Sequence, residues 1–229
     1  MCIRDRFNQP HTITLDSRWR VFVGDRSNSR IQIFEPDGTF PNHEADPLKV
    51  ENLADVSEAV RRVGADFGVA FDGDADRAVF VDEAGRPISS DLMTAVLGRR
   101  QLAHNPGGLV LYDLRSSRAV AEEVEEAGGR AEMCRVGHSF VKAQMRESGA
   151  IFAGELSGHM YFRFTDFVDD LFADDAIAAF VALLDVLEAE ARPLSEIIAP
   201  LRRYHASGEL SLIHISEPTR PLYMSYGVF

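Results

Sequence analysis

Three acidic residues alternate with small ones in the run Phe71-Asp72-Gly73-Asp74-Ala75-Asp76-Arg77. Carboxylates this close repel one another unless a cation holds them. Oxygen donors select a hard ion, and few protein ligands with room for phosphate oxygens suit Mg²⁺. Gly73 and Ala75 add no bulk between the acids. Arg77 beside them can pair with a phosphate that also reaches the metal. The alternative for this loop is a solvated acidic turn. A second run, Gly154-Glu155-Leu156-Ser157-Gly158-His159, sets a carboxylate, a hydroxyl and an imidazole among glycines. Glu155 can accept two hydrogen bonds from vicinal hydroxyls, and Ser157 can donate or accept, so the loop suits a polyhydroxylated ligand. The alternative there is an ordinary turn with a capping serine.

Both loops need strands to deliver them. The apolar run 67–71 reads as a strand ending at the first aspartate, and 78–82 as the next strand, followed by a hairpin-like turn at 83–86. Upstream, Leu53, Val56, Ala59, Val60 and Val63 recur at helical spacing over 52–63, with Asn52 as N-cap and Gly64 as the stop. A β/α alternation follows. Ser90 caps a helix to about residue 102, 108–112 is a buried strand, and 117–127 is a helix with Val120 and Val124 on one face. Further strands are expected at 131–134, 150–153 and 160–164, with helices at 138–147, 174–190 and 194–201. This order predicts an α/β fold with a mixed, mostly parallel sheet covered by helices, preceded by a partial α/β domain. Ligands bind such sheets at the carboxyl ends of the strands.

Composition narrows the function. The 229 residues are 45% hydrophobic and 26% charged, values of a globular chain. Asp and Glu outnumber Lys and Arg by 36 to 24, a net charge of −12. No nucleic-acid partner is expected, because counterion replacement needs a basic face. A small anion is compatible, since a few arginines can make a local positive pocket. The two cysteines, Cys2 and Cys134, imply no disulfide framework and fit a reducing, cytoplasmic setting. No apolar stretch is long enough to cross a membrane and none forms a signal-peptide core, so no membrane partner is expected. Oligomeric state is left open.

The two ends read differently from the middle. The codons ATG TGT ATA AGA GAC AG encode Met1-Cys2-Ile3-Arg4-Asp5, and their reverse complement encodes the Leu-Ser-Leu-Ile-His that opens at Leu210. Residues 1–6 and most of 205–229 are therefore read as adapter-like and non-native. Residues 7–34 hold three short strand-like runs, 12–16, 20–25 and 30–34, with turn residues between them. That spacing suggests one propeller blade, and the stretch from Asp25 to Phe34 resembles an NHL repeat. One blade cannot bury its own faces, so this piece is read as joined to something else near 34–38.

Several motifs in one order carry a wider resemblance. Besides the two loops, these are Glu35-Pro36-Asp37-Gly38-Thr39-Phe40-Pro41-Asn42-His43-Glu44, Tyr112-Asp113-Leu114-Arg115-Ser116-Ser117-Arg118 and Val136-Gly137-His138-Ser139-Phe140-Val141-Lys142. From about residue 35 to 203 the chain resembles the α-D-phosphohexomutases, the phosphomannomutase/phosphoglucomutase group. The resemblance implies a four-domain parent that interconverts hexose 1-phosphates and hexose 6-phosphates. A phosphoserine would give its phosphoryl group to the substrate, a hexose 1,6-bisphosphate would serve as intermediate and activator, and Mg²⁺ would assist. By the same resemblance Asp72, Asp74 and Asp76 are metal ligands and Arg77 contacts phosphate. Glu155, Ser157 and His159 belong to the sugar-binding loop, and His138 and Arg115 line the cleft near the phosphorylated hexose. Residues 35–85 would then be the end of domain 2 and 86–204 domain 3. No Thr-Ala-Ser-His-Asn-Pro-like phosphoserine segment is present in the sequence. The expectation is a truncated mutase that does not turn over alone. Two other readings are a non-catalytic Mg²⁺ and phosphosugar-binding module, and a propeller-type interaction protein built on residues 7–34.

Overall fold

The computed structural model describes residues 45–165 and 169–205, together with the backbone of three strands nearer the N-terminus. Those strands, β1 (Pro10–Leu15), β2 (Val21–Asp25) and β3 (Arg30–Phe34), form an antiparallel sheet in the order β1-β2-β3. They coincide closely with the expected runs. The motif at 35–44 and the tail beyond 205 lie outside the described residues.

The helix expected at 52–63 is α1 (Ala54–Val63), entered through a short 3-10 turn at Val50–Leu53. Asn52 is not its cap: its Nδ2 donates to the Asp46 carbonyl at 2.8 Å, inside the 3-10 turn. Gly64 stops the helix as expected, at φ 66°, with its N–H on the Val60 carbonyl. Helix α1 lies close over β4 (Phe67–Phe71), where a Cβ on Gly68 would stand 2.7 Å from both Val56 and Val60. Strand β4 pairs antiparallel with β5 (Ala78–Asp82) in a two-stranded sheet.

The larger sheet has the order β10-β9-β8-β6-β7. Its strands are β6 (Leu109–Asp113), β7 (Arg130–Cys134), β8 (Phe152–Gly154), β9 (Met160–Phe164) and β10 (Leu171–Asp174). The sheet is mixed: β6 pairs parallel with β7 and β8, while β8/β9 and β9/β10 are antiparallel. The parallel pairs are the ones with helical crossovers, α3 (Arg118–Glu126) and α4 (His138–Ser148). Strand β10 falls where the helix reading began at residue 174. Asp175 caps α5 (Ala176–Glu190) by accepting the Ile177 and Ala178 N–H groups at 2.9 Å, so the helix starts later and the preceding residues extend to pair with β9. At α2 (Ser90–His104) the N-cap position belongs to Ser89, not Ser90. Neither serine caps through its side chain; the Asp91 carboxylate accepts from Ser89 Oγ and from Leu92 N instead.

Alternation along β6 divides the core. Val110 faces a cluster with α2, α3, α5 and the short α6 (Leu194–Ile198), whereas Leu109 and Leu111 face Val141 and Met145 of α4. The small hairpin belongs to the first cluster. Ala78 and Phe80 are wholly buried in it, the Phe67 ring lies tilted with its centroid 5.8 Å from that of Phe180 of α5, and Glu83 accepts the Ser195 N–H at the start of α6.

Candidate metal and hydroxyl-binding site

Each candidate loop leaves the carboxyl end of a strand. Asp72 follows β4 and is 8% exposed. Its Oδ1 accepts the N–H groups of Asp76 and Arg77, each at 3.1 Å, and its Oδ2 accepts Arg77 Nε at 2.8 Å. These bonds curl the chain back within one turn, which Ala75 completes in the left-handed region at φ 58°. An alanine there is strained, and the loop bonds over-determine it. The turn brings carboxylate oxygens of Asp72, Asp74 and Asp76 within 4.8 Å of one another.

Asp72 and Asp76 titrate in opposite directions. Burial pushes the Asp72 carboxyl up to about 6, with the Asp76 charge adding to the effect against the pull of Arg77. Burial alone would raise Asp76 as well, but the hydrogen bond and charge of His159 bring it down to about 2. Of the two neighbours, Asp72 is thus the one that takes up a proton first. An all-oxygen donor set, with one member driven toward protonation when no divalent ion is there, fits Mg²⁺.

The second loop follows β8. Gly154 must be glycine: a Cβ there would sit 2.1 Å from Thr94 Oγ1 of α2. Glu155 is 1% exposed. Its Oε1 accepts the Gly137 N–H at 2.7 Å and its Oε2 accepts the Tyr161 hydroxyl at 2.5 Å. The loop closes on itself through Glu155 N to His159 O and Gly158 N to Glu155 O, both 3.0 Å. Ser157 Oγ lies 2.8 Å from His159 Nδ1.

The two loops are spliced together. Arg77 and His159 form an isolated antiparallel bridge, and Ala78 N donates to Gly158 O at 3.1 Å. His159 Nε2 stands 3.6 Å from Asp76 Oδ1, and its Nδ1 stands 3.5 Å from Glu155 Oε2. Burial works against its charge, yet Asp76 and Glu155 hold the imidazole above its ordinary value. The start of α5 joins in, since Ala176 N donates to Ala75 O at 3.3 Å. Among the residues picked from sequence, Asp72, Asp74, Asp76, Arg77, Glu155, Ser157 and His159 therefore stand in one cluster.

Arg115 and His138 stand beside this cluster through intermediaries. Arg115 places Nε and Nη2 on Asp113 Oδ2 at 2.9 and 2.8 Å, and the same oxygen accepts Leu156 N at 3.2 Å. His138 opens α4 with its side chain 62% exposed, 4.0 Å from Asp174 Oδ2. Lys142 Nζ holds that carboxylate at 3.0 and 3.1 Å, and the residue before the histidine, Gly137, is the one that touches Glu155. Sequence reasoning assigned no role to Asp113, Tyr161 or Asp174. Asp113 had a legible signal, because it ends an apolar strand just as Asp72 follows one. Cys134 is not a nucleophile of this site: burial, with Asp113 and Glu155 nearby, pushes its thiol up to about 12.

The acidic loop and the buried-carboxylate loop thus leave strand ends of two sheets and are joined backbone to backbone, in an α/β protein whose helices cover the larger sheet. Residues 89–204 match the family described as phosphoglucomutase/phosphomannomutase, alpha/beta/alpha domain III, and residues 30–85 match its alpha/beta/alpha domain II. The chain belongs to the phosphoglucomutase/phosphomannomutase family, an α-D-phosphohexomutase line. Residues 7–34 match the NHL repeat. A phosphoglucomutase of Neisseria gonorrhoeae is 40% identical over 178 residues, 78% of this chain and 38% of that protein. A phosphomannomutase of Methanocaldococcus jannaschii is 39% identical over 176 residues, 77% and 38% of the two chains. The crystal structure of a phosphoglucomutase/phosphomannomutase family protein from Burkholderia thailandensis aligns with a TM-score of 0.65 at 39% identity, over 73% of this chain and 35% of that one. This chain thus spans between 35% and 38% of the length of these relatives. Among the described residues, no helix is long and apolar enough to cross a membrane.

Proposed function

We propose that this chain supplies the cation-holding and hydroxyl-reading parts of a phosphohexomutase site. In the whole protein that site interconverts hexose 1-phosphate and hexose 6-phosphate. A phosphoserine gives its phosphoryl group to a substrate hydroxyl, and the hexose 1,6-bisphosphate so formed returns its other phosphoryl group to the serine. The observation that supports this reading is the splice of the two loops through Arg77 and His159. It keeps Arg77, the three aspartates and the 154–159 loop together, as a single phosphosugar touching all three would require.

Asp72, Asp74 and Asp76 hold the Mg²⁺, which when bound supplies Lewis-acid stabilisation of charge on a phosphoryl oxygen. Arg77, anchored by Nε on Asp72, contacts phosphate. Glu155 and Ser157 bind sugar hydroxyls, and His159 keeps their loop against the cage. Arg115 and His138 line the substrate side. The partner is a phosphorylated hexose, and the setting is the cytoplasm. By itself the chain binds without turnover, because its sequence offers no phosphoserine-type segment.

Calorimetric titration of the purified chain tests this. One Mg²⁺ site is expected, weakened at least about tenfold in Asp74→Asn, where a charged oxygen ligand is lost. With glucose 1-phosphate, Mg²⁺ and a trace of glucose 1,6-bisphosphate, a coupled assay is expected to show no glucose 6-phosphate. Mg²⁺ binding that ignores the aspartates would overturn the reading of the cage, and turnover would overturn the claim of inactivity.

A further inference from the structure

Asp113 is the last residue of β6 and is wholly buried. A carboxylate out of water is costly unless donors surround it. This one is surrounded, and its donors come from two separate loops. Oδ1 accepts Arg115 N at 3.2 Å and Ser116 Oγ at 2.7 Å. Oδ2 accepts Arg115 Nε and Nη2 at 2.9 and 2.8 Å and Leu156 N at 3.2 Å. The sheet register explains the reach. Tyr112 of β6 pairs in parallel with Gly154 of β8, so the next residue of each, Asp113 and Glu155, stands at the same end of the sheet. Asp113 therefore sits at the point where the Arg115 turn and the Glu155 loop leave neighbouring strands.

The position of the Leu156 bond matters. Leu156 stands between Glu155 and Ser157, and its own side chain is not a hydroxyl reader. Fixing its N–H fixes the spacing of the two residues that are. Two donors of Arg115 on a single oxygen likewise fix the plane of the guanidinium. We infer that Asp113 is a positioning residue: one buried carboxylate locks Arg115 and the 154–159 loop in a common register, so that both meet the same phosphosugar. The part about a shared ligand rests on the function proposed above; the lock itself does not.

Two measurements on the intact chain test it. The first needs no ligand. In heteronuclear NMR spectra, the Arg115 Nε–H and the Leu156 amide are expected to be protected from solvent exchange in the wild type. In Asp113→Asn both should lose protection together, while the Val110 and Leu111 amides of β6 keep theirs. If only one of the two signals responds, or if the β6 amides fall with them, the lock is overturned. Should Asp113→Asn fail to fold, Asp113→Glu keeps the charge but displaces it by one methylene, and both signals should still shift together.

The second measurement is a double-mutant cycle read by glucose 1-phosphate binding in the presence of Mg²⁺. Asp113→Asn is expected to weaken binding roughly tenfold, as expected for loss of a charge-assisted contact. In an Arg115→Ala background the same change should cost clearly less than in the wild type, what remains being the share exerted through Leu156 and the 154–159 loop. Full additivity would overturn a role exerted through Arg115. If the wild-type chain does not bind glucose 1-phosphate, the proposed function fails there, and the exchange measurement still decides the lock.

Discussion

Asp76 and His159 belong to different loops and keep each other charged. Asp76 is held near 2 against an ordinary 3.8, and His159 is held above 6.5. The signs set a window. Asp76 stabilises the fold above pH 3.8 and loses that contribution as pH falls toward 2. His159 contributes fully below pH 6.5 and loses its share as pH rises through its higher folded value. The difference in urea midpoint between the wild type and Asp76→Asn should therefore be largest between pH 3.8 and 6.5 and shrink on both sides. A difference independent of pH would show that the pair holds nothing. The residues of this pair were legible because alternating acids and a Gly-Glu-x-Ser-Gly-His run are local patterns. The partners of Glu155 were not. Tyr161 and Gly137 reach it only through strand register and the entry to α4, which no local pattern specifies.

Elements deliver the loops through close approaches and caps. Helix α2 crosses the end of β8 so tightly that Gly154→Ala must push Thr94 away. Overpacking of this kind is expected to cost about 1–3 kcal/mol, readable as a lowered urea midpoint. Loss of the α3 cap in Ser117→Ala, where Oγ accepts the Ala119 N–H at 3.2 Å, should cost about 1 kcal/mol and leave Mg²⁺ binding intact. Helices were read well because their apolar spacing spans several turns. Strand β10 was missed for a physical reason. Four residues carry too short a pattern to oppose the strong helical signal that follows, and only pairing with β9 makes them extended. Asn52 and Ser90 were misread as caps because both precede an apolar helical pattern, while the chain spends Asn52 on Asp46 and starts α2 one residue earlier.

At the scale of the whole molecule, the two units matched to domains II and III share one core. Phe80 of the small hairpin is wholly buried among the residues of α2, α5 and α6. A truncation to alanine there is expected to cost about 3–5 kcal/mol. Because the core is common, unfolding of Phe80→Ala should remain a single transition when followed both by far-ultraviolet circular dichroism and by amide exchange at Val110. Two separate transitions would mean that the hairpin is an independent unit. The family resemblance implied a boundary near 85. The sequence pattern could not reveal that Phe67 meets Phe180, since contacts across such separations follow from topology alone.

The splice between Arg77 and His159 also has a kinetic meaning. Its partners lie far apart along the chain, and the later one is presented only after β8 and β9 have turned back on each other. Closing so wide a circuit is entropically slow and brings reward only at the end. Refolding chains should regain helical dichroism first and their sensitivity to Mg²⁺ last, so stopped-flow traces taken with and without the ion should diverge only in the final phase.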